Sequence, residues 1–253
     1  METIKFNKGN VKVIAHRGLS SFETENSLAA FIAAGNRSYY GIECDVHSTK
    51  DGKYVIFHDD TFQRATGVDG VVEETDFDTI RSLTLFEPVC NGYQGDDGVK
   101  LSNKKRPDLI IPSLQEYILT CKKYDKVAVL ELKNHFEKKN IQEIIEIIEG
   151  LEYLDGVIFI SFDIENLIFV KELRPNQTVQ FLSSDRDDFA KKLPTVIDYK
   201  MDVDLFHGIL REEDVTYLHS LGIKINIWTP GNKDDAEKYA SWGVDYLTTN
   251  YLE

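Results

Sequence analysis

From residue 113 onward the chain alternates two kinds of segment, and this alternation restricts the fold more than any other feature. Apolar, β-branched runs at 127–132, 157–162, 179–182 and 223–228, with a shorter one at 246–249, read as buried strands. Between them, residues 114–124, 140–151, 164–173, 212–221 and 233–242 carry helical patterns. Ile141, Ile144, Ile145 and Ile148 make one apolar stripe suited to packing on a sheet. Gly222 and Gly243 follow two of these segments as stop signals. The stretch from 191 to 207 is ambiguous, with one strand near 196–199 or near 203–206. The front of the chain adds strands at 11–15 and 42–46 and a helix at 27–34. About eight strands in strict alternation predict an α/β fold, a (β/α)8 TIM barrel, rather than two α+β domains. An open doubly wound sheet is the alternative, but no GxGxxG follows the first strand to support its dinucleotide-binding version.

The run at 54–57 breaks the alternation. Too few residues separate it from Val46 for a crossover helix, so an antiparallel hairpin turning at Lys50-Asp51-Gly52 is expected. That register sets His58 roughly opposite Glu43. Residues 60–112 carry no long periodic element and include Gly92, Gly95, Gly98, Asp96 and Asp97. They are expected to form loops and short pieces, a small cap over one barrel end, with 88–107 mobile. The expected organisation is one domain over 1–253 with this insertion at about 60–112.

Charge then recurs where strands end. Glu43 and Asp45, two apart on a strand, share a face with Cα atoms roughly 7 Å apart. Two inward carboxylates repel unless something positive lies between them, and a hard divalent cation meets that need. Solvation at an edge, or pairing with Arg or Lys, would serve the pair equally well in isolation. Glu131-Leu132-Lys133 repeats the arrangement at the end of a later strand, adding a third carboxylate to the same candidate metal site, with Lys133 on the same side. His16 and His58, both at strand ends, are candidate acid and base. Arg17 offers a planar fork to a phosphate oxygen, and Trp228 could wall a pocket for a glycerol-like group. His47, His135, His207 and His219 sit in weaker contexts and read as surface or structural residues.

Composition narrows the partners. A net charge of −14 argues against a broad nucleic-acid footprint and against docking on anionic lipid. It leaves a small anionic substrate open, since local cations decide that. Cys44, Cys90 and Cys121 form neither a disulfide framework nor a zinc knuckle and read as reduced thiols. The N-terminus lacks a secretory pattern, and no apolar stretch approaches the roughly 20 residues of a membrane span. A soluble cytoplasmic protein is the expectation, and a homo-oligomer is compatible with it.

Together, His16-Arg17-Gly18, Glu25-Asn26, Glu43-x-Asp45, Asp51-Gly52 and His58-Asp59 resemble the glycerophosphodiester phosphodiesterases. The likeness continues through Pro112-Ser113-Leu114-x-Glu116, Glu131-x-Lys133, Ser161-Phe162, Trp228-Thr229 and Gly243-Val244-Asp245, almost the whole chain. It implies a TIM barrel with a small insertion after the second strand and a metal-dependent hydrolase. Such an enzyme cleaves glycerophosphodiesters to glycerol 3-phosphate and an alcohol. Carried over by position, Glu43, Asp45 and Glu131 would bind Ca²⁺ or Mg²⁺. His16 and His58 would be the acid/base pair, and Arg17 and Lys133 would hold the phosphate. Thr24 departs from the family's usual Pro and Ser27 from its Thr. Thr248-Thr249-Asn250 stands where the family usually has Thr-Asp followed soon by Pro. None of these departures is expected to touch the metal or histidine set. Competing readings are a lysophospholipase D-type hydrolase, a lyase stopping at a cyclic phosphate, and a catalytically silent phosphodiester-binding barrel.

Overall fold

The computed structural model describes residues 2–89 and 101–253. The chain begins with β1 (Lys12–Ala15), α1 (Leu28–Gly35), β2 (Gly41–Ser48) and β3 (Tyr54–Ile56). An excursion follows: α2 (Gln63–Thr66), α3 (Phe77–Arg81), β4 (Thr84–Pro88) and β5 (Leu101–Ile110). Regular alternation then takes over with α4 (Leu114–Lys123), β6 (Val127–Leu132), α5 (Lys138–Gly150), β7 (Val157–Ser161) and α6 (Ile164–Leu173). It closes with β8 (Val179–Ser183), α7 (Arg186–Asp198), β9 (Asp202–Phe206), α8 (Glu212–Ser220), β10 (Ile225–Trp228), α9 (Lys233–Trp242) and β11 (Tyr246–Thr249).

Strands β1, β2, β6, β7, β8, β9, β10 and β11 pair in parallel in that order, and β11 returns to β1, so the sheet closes into a barrel. Closure follows from the alternation: a helix after each strand can cover only the outer face, and a barrel leaves no sheet edge open. The helical stripes do this covering. Ile141, Ile144, Ile145 and Ile148 of α5 lie in the large apolar layer between helices and strands. A second, smaller core fills the barrel itself, built from Ile14, Val129, Ile158, Ile160, Leu182 and Tyr246. Ser113 and Glu116 form a capping box that starts α4, which accounts structurally for the Ser113-Leu114-x-Glu116 motif.

The ambiguous stretch resolves in favour of the later strand, β9. Residues 196–199 instead end α7, a helix the sequence pattern conceals, because Pro194 lies inside it and charged residues crowd its first turn. The excursion is more ordered than loops. β4 and β5 pair antiparallel, and Val55, Phe57, Phe62, Ile80, Leu85, Leu109 and Ile111 form a separate apolar cluster under them. β5 escapes notice because it is largely exposed and polar, without two-residue alternation. Of the segment expected to be mobile, 90–100 lie outside the described residues, while 101–107 belong to β5.

The expected hairpin is present, with β3 antiparallel to β2 and His47 opposite Val55. Gly52 takes the left-handed conformation the turn needs, at φ 74°. Phe57 N–H donates to the Asp45 carbonyl at 2.9 Å, which puts His58 beside Cys44, one residue from the expected Glu43. Gly18 is a tight point near the barrel rim. It sits at φ 78°, and a Cβ there would lie 2.7 Å from Ala30. Left-handed geometry alone costs an L-residue roughly 1–2 kcal/mol, and the overlap with the α1 backbone adds to it. Gly18→Ala is therefore expected to destabilise the protein by more than about 2 kcal/mol in urea unfolding; an unchanged midpoint would contradict this packing.

Candidate active site

The side chains singled out in the sequence gather at the C-terminal end of the barrel strands, where (β/α)8 barrels carry their chemistry. β1 ends directly into His16 and Arg17, β2 carries Glu43 and Asp45, β6 carries Glu131 with Lys133 just beyond, and β10 ends in Trp228. Register brings the acids together: Asp45 and Glu131 are direct neighbours across the β2–β6 pair. A cavity of about 180 Å³ is lined by His16, Arg17, Glu43, His58, Glu131, Lys133 and Trp228. Asp45 lies just behind this wall, buried and held at 2.7 Å by the amide of Asn26.

Glu43, Asp45 and Glu131 each place a carboxylate oxygen within 4.8 Å of the others. The resulting strain is unequal. Burial, and then the neighbouring Asp45 and Glu131 charges, push the Glu43 carboxyl well above the usual carboxylate range. Burial and Asp45 raise Glu131 in the same way. Burial also works against ionised Asp45, but His58, Lys133, Arg17 and the Asn26 hydrogen bond outweigh it and hold its carboxyl far below that range. Lys133 Nζ lies 2.9 Å from Glu131 and 3.6 Å from Asp45. Arg17 donates its backbone N–H to Glu43 at 2.7 Å and its guanidinium to Glu25 at 2.9 Å. Three buried, mutually repelling oxygen donors of this kind fit a hard divalent cation, because a positive charge between them would offset that repulsion. A second cluster, His135 with Asp163 and Glu165, is largely exposed. Its Asp163 already caps α6 and bonds His135 at 2.7 Å, so it reads as an ion pair at the rim.

The two histidines are held differently. Arg64 grips the Asp59 carboxylate at 2.6 Å and 2.9 Å and keeps it ionised despite its burial. An ionised carboxylate only accepts, so His58 Nδ1, 2.7 Å away, must donate. His16 Nδ1 faces the side-chain oxygen of Asn250 at 2.8 Å, which also accepts from Ser20 at 3.1 Å. Its Nε2 is left as the acceptor, 3.9 Å from Glu43. Burial, then the Arg17 charge, lower His16 to about 3. The terminal departure Thr248-Thr249-Asn250 was expected to lie clear of the histidines. Asn250 instead holds one of them, because β11 neighbours β1 in the closed sheet.

Other residues that matter here carried no individual role in the sequence reading. Glu25 links Arg17 to Arg64, Asn26 orients Asp45, and buried His47 supports the His58 backbone carbonyl at 3.4 Å, in keeping with its structural reading. Arg17 and Asn26 both lie at positive φ, 53° and 51°. Strained backbone of this kind costs roughly 1–3 kcal/mol per residue and persists where surrounding contacts enforce it. Asp204 was also missed, although a carboxyl between Val203 and Leu205 on an apolar strand was a visible signal. Opposite the charged wall, Ile160, Phe162, Leu182 and Trp228 make an apolar one, with Phe162 edge-on to Trp228 at 5.9 Å.

Residues 16–253 match the model of the glycerophosphoryl diester phosphodiesterase family. A glycerophosphodiester phosphodiesterase of Caldanaerobacter subterraneus is 30% identical, over 94% of this chain and 93% of its own length. One from Bacillus subtilis is 26% identical, over 95% of this chain and 84% of its own. Among solved structures, a phosphodiesterase of Oleispira antarctica in complex with the product sn-glycerol-3-phosphate superposes with a TM-score of 0.81. It is 26% identical, covering 95% of this chain and 93% of its own. With matched residues running from His16 to the last residue and taking in the whole rim cluster, this chain belongs to the glycerophosphoryl diester phosphodiesterase family.

Proposed function

We propose that the protein hydrolyses glycerophosphodiesters to glycerol 3-phosphate and an alcohol, with His16 and His58 as the proton-transfer pair and one divalent cation, Ca²⁺ or Mg²⁺, held by Glu43, Asp45 and Glu131. The observation that carries this reading is the convergence of two histidines, three carboxylates, Arg17 and Lys133 around one cavity. The family match and the product complex of the Oleispira antarctica relative support the substrate class. A cation bound by the three acids would polarise the phosphorus and acidify a nearby hydroxyl.

The residues then divide the work by environment. His16, neutral and with Nε2 free of a proton, takes the proton of the attacking hydroxyl, either a glycerol hydroxyl or water. His58, its Nδ1 proton held by Asp59, gives the Nε2 proton of its imidazolium form to the oxygen of the departing alcohol. If the glycerol hydroxyl attacks, a cyclic phosphate forms, and the roles reverse as water opens it. Arg17 and Lys133 face the negative charge that grows on the phosphoryl oxygens. Lys133, which meets Glu131 and Asp45 in the structure, would be free for phosphate with a cation held by those acids.

Soluble, deacylated diesters suit the site better than lysophospholipids. Among the described residues of the excursion, Leu85 is buried in the local core rather than lining a groove. No helix among the described residues is long and apolar enough to cross a membrane.

His16→Ala and His58→Ala are each expected to lower kcat on glycerophosphocholine by about 10²-fold or more; near-full activity in either would refute the assignment. Chelation should abolish turnover, and added Ca²⁺ or Mg²⁺ should restore it. Glu131→Gln should weaken calorimetric binding of the restoring ion by roughly tenfold or more, whereas an enzyme indifferent to chelators would sink the carboxylate reading. The lowered pKa of His16 means that its ring, unlike an unfolded-chain histidine titrating near 6.5, stays unprotonated as pH falls until about 3. Nitrogen-15 NMR of the metal-free protein at pH 5 should therefore show His16 as the neutral ring protonated on Nδ1. An imidazolium at that pH would contradict the burial argument.

A further inference from the structure

The inward face of a (β/α)8 barrel is ordinarily filled by branched apolar side chains. Here Ile14, Val129, Ile158, Ile160, Leu182 and Tyr246 conform. Polar residues share that interior. Gln180, Asp204, Asn226 and Thr248, one from each of β8 to β11, are buried with relative exposures of 0%, 1%, 0% and 2%. They form a chain across the strands: Thr248 donates to Asn226 at 3.2 Å, Asn226 donates to Gln180 at 3.2 Å, and Asn226 also hydrogen-bonds the Asp204 carboxyl. The chain does not close. Asp204 Oδ1 is buried without a hydrogen-bond partner among the described residues, and so is Gln180 Nε2. Buried polar atoms in this state call for a partner that arrives from outside.

Asp204 lines the same cavity as His16, His58 and Lys133, on the side away from Glu43 and beneath Trp228, whose indole N–H points at the Asp204 carbonyl at 3.4 Å. A second cavity of about 270 Å³ opens beside the first and shares His16, Arg17, His58 and Trp228 with it. Asp59, Arg64 and Thr229 complete its wall. The two spaces meet at the residues assigned to the phosphate and to proton transfer. A phosphodiester centred there sends one arm into each. The inner space, about 180 Å³ with a carboxyl on its floor, suits a short polyol. The outer space, with its charged wall, suits a polar alcohol. Burial, and then the Glu131 charge, push the Asp204 carboxyl well above the usual carboxylate range, and its two oxygens offer a polyol hydroxyl more than one hydrogen-bond position.

The geometry points to Asp204 as the residue that recognises a glycerol hydroxyl of the substrate, with the outer cavity bounded by Arg64 and Thr229 receiving the leaving alcohol. This rests on the proposed function above. Asp204 here binds and selects substrate and takes no part in proton transfer.

The test crosses changes in enzyme and substrate. Glycerophosphocholine is compared with the phosphocholine diesters of propane-1,2-diol and propane-1,3-diol, each lacking one glycerol hydroxyl, for the wild type, Asp204→Asn and Asp204→Leu. The expected result is a KM for glycerophosphocholine at least tenfold higher in Asp204→Leu, with a smaller rise in Asp204→Asn. Removing the recognised hydroxyl should raise the wild-type KM by a similar factor and leave that of Asp204→Leu unchanged. Unchanged KM values in both variants, or two losses that simply multiply, would overturn the assignment. Should Asp204→Leu fail to fold, the wild type decides alone, since equal KM for the glycerol diester and both analogues also overturns it. Calorimetric titration with glycerol 3-phosphate separates the two readings. If the wild type turns over no glycerophosphodiester, the proposed function fails. The Asp204 assignment then stands on at least tenfold weaker binding of glycerol 3-phosphate to an Asp204 variant, and falls if wild type and variants bind it equally or not at all.

Discussion

The site depends on the forced proximity of Glu43, Asp45 and Glu131 inside a closed barrel. Carboxylates this deep are tolerated only with positive charge or protons between them. The protein supplies Arg17 and Lys133, and even so only Asp45 is held firmly ionised while Glu43 and Glu131 are pushed upward. Much of the surrounding structure serves this balance. Asn26 is bent into a left-handed conformation and holds Asp45, Glu25 steadies Arg17, and Gly18 allows the loop after β1 to lie against α1. Such a frame holds its charges fixed, with little room for rearrangement.

Around that frame the two imidazoles are made unlike by their partners. His58 leans on a carboxylate that Arg64 keeps ionised, and His16 on a neutral amide. Burial beside Arg17 then keeps His16 free of a proton. Arg64 and Asp59 come from the excursion side of the chain and Asn250 from its last strand, so the distinction is assembled from both ends of the sequence.

Strand–helix alternation was legible because each βα unit writes its own period, and from β6 onward only the α7–β9 stretch stayed ambiguous. Pro194 and an acidic first turn hid α7. The polar, exposed β5 hid the β4–β5 pair, which places its own Leu85 and Leu109 in an apolar cluster with Phe62 and Ile80. The hairpin was anticipated, and with Val46 opposite Ile56 it sets His58 opposite Cys44, the neighbour of Glu43.

By itself, the amino-acid sequence determined the periodic elements, the barrel class and the residue types gathered at strand ends, since hydrophobic period is a local property of a chain. Tertiary structure alone decided what those residues touch. Asn250 meets His16 only because β11 closes onto β1, and Asp45 meets Glu131 only because β2 lies beside β6. Asp204 became notable only when its oxygen was found buried without a partner in the cavity the histidines line. Electrostatic and hydrogen-bond energies depend on distance in space, and closing a barrel makes neighbours of residues more than two hundred positions apart.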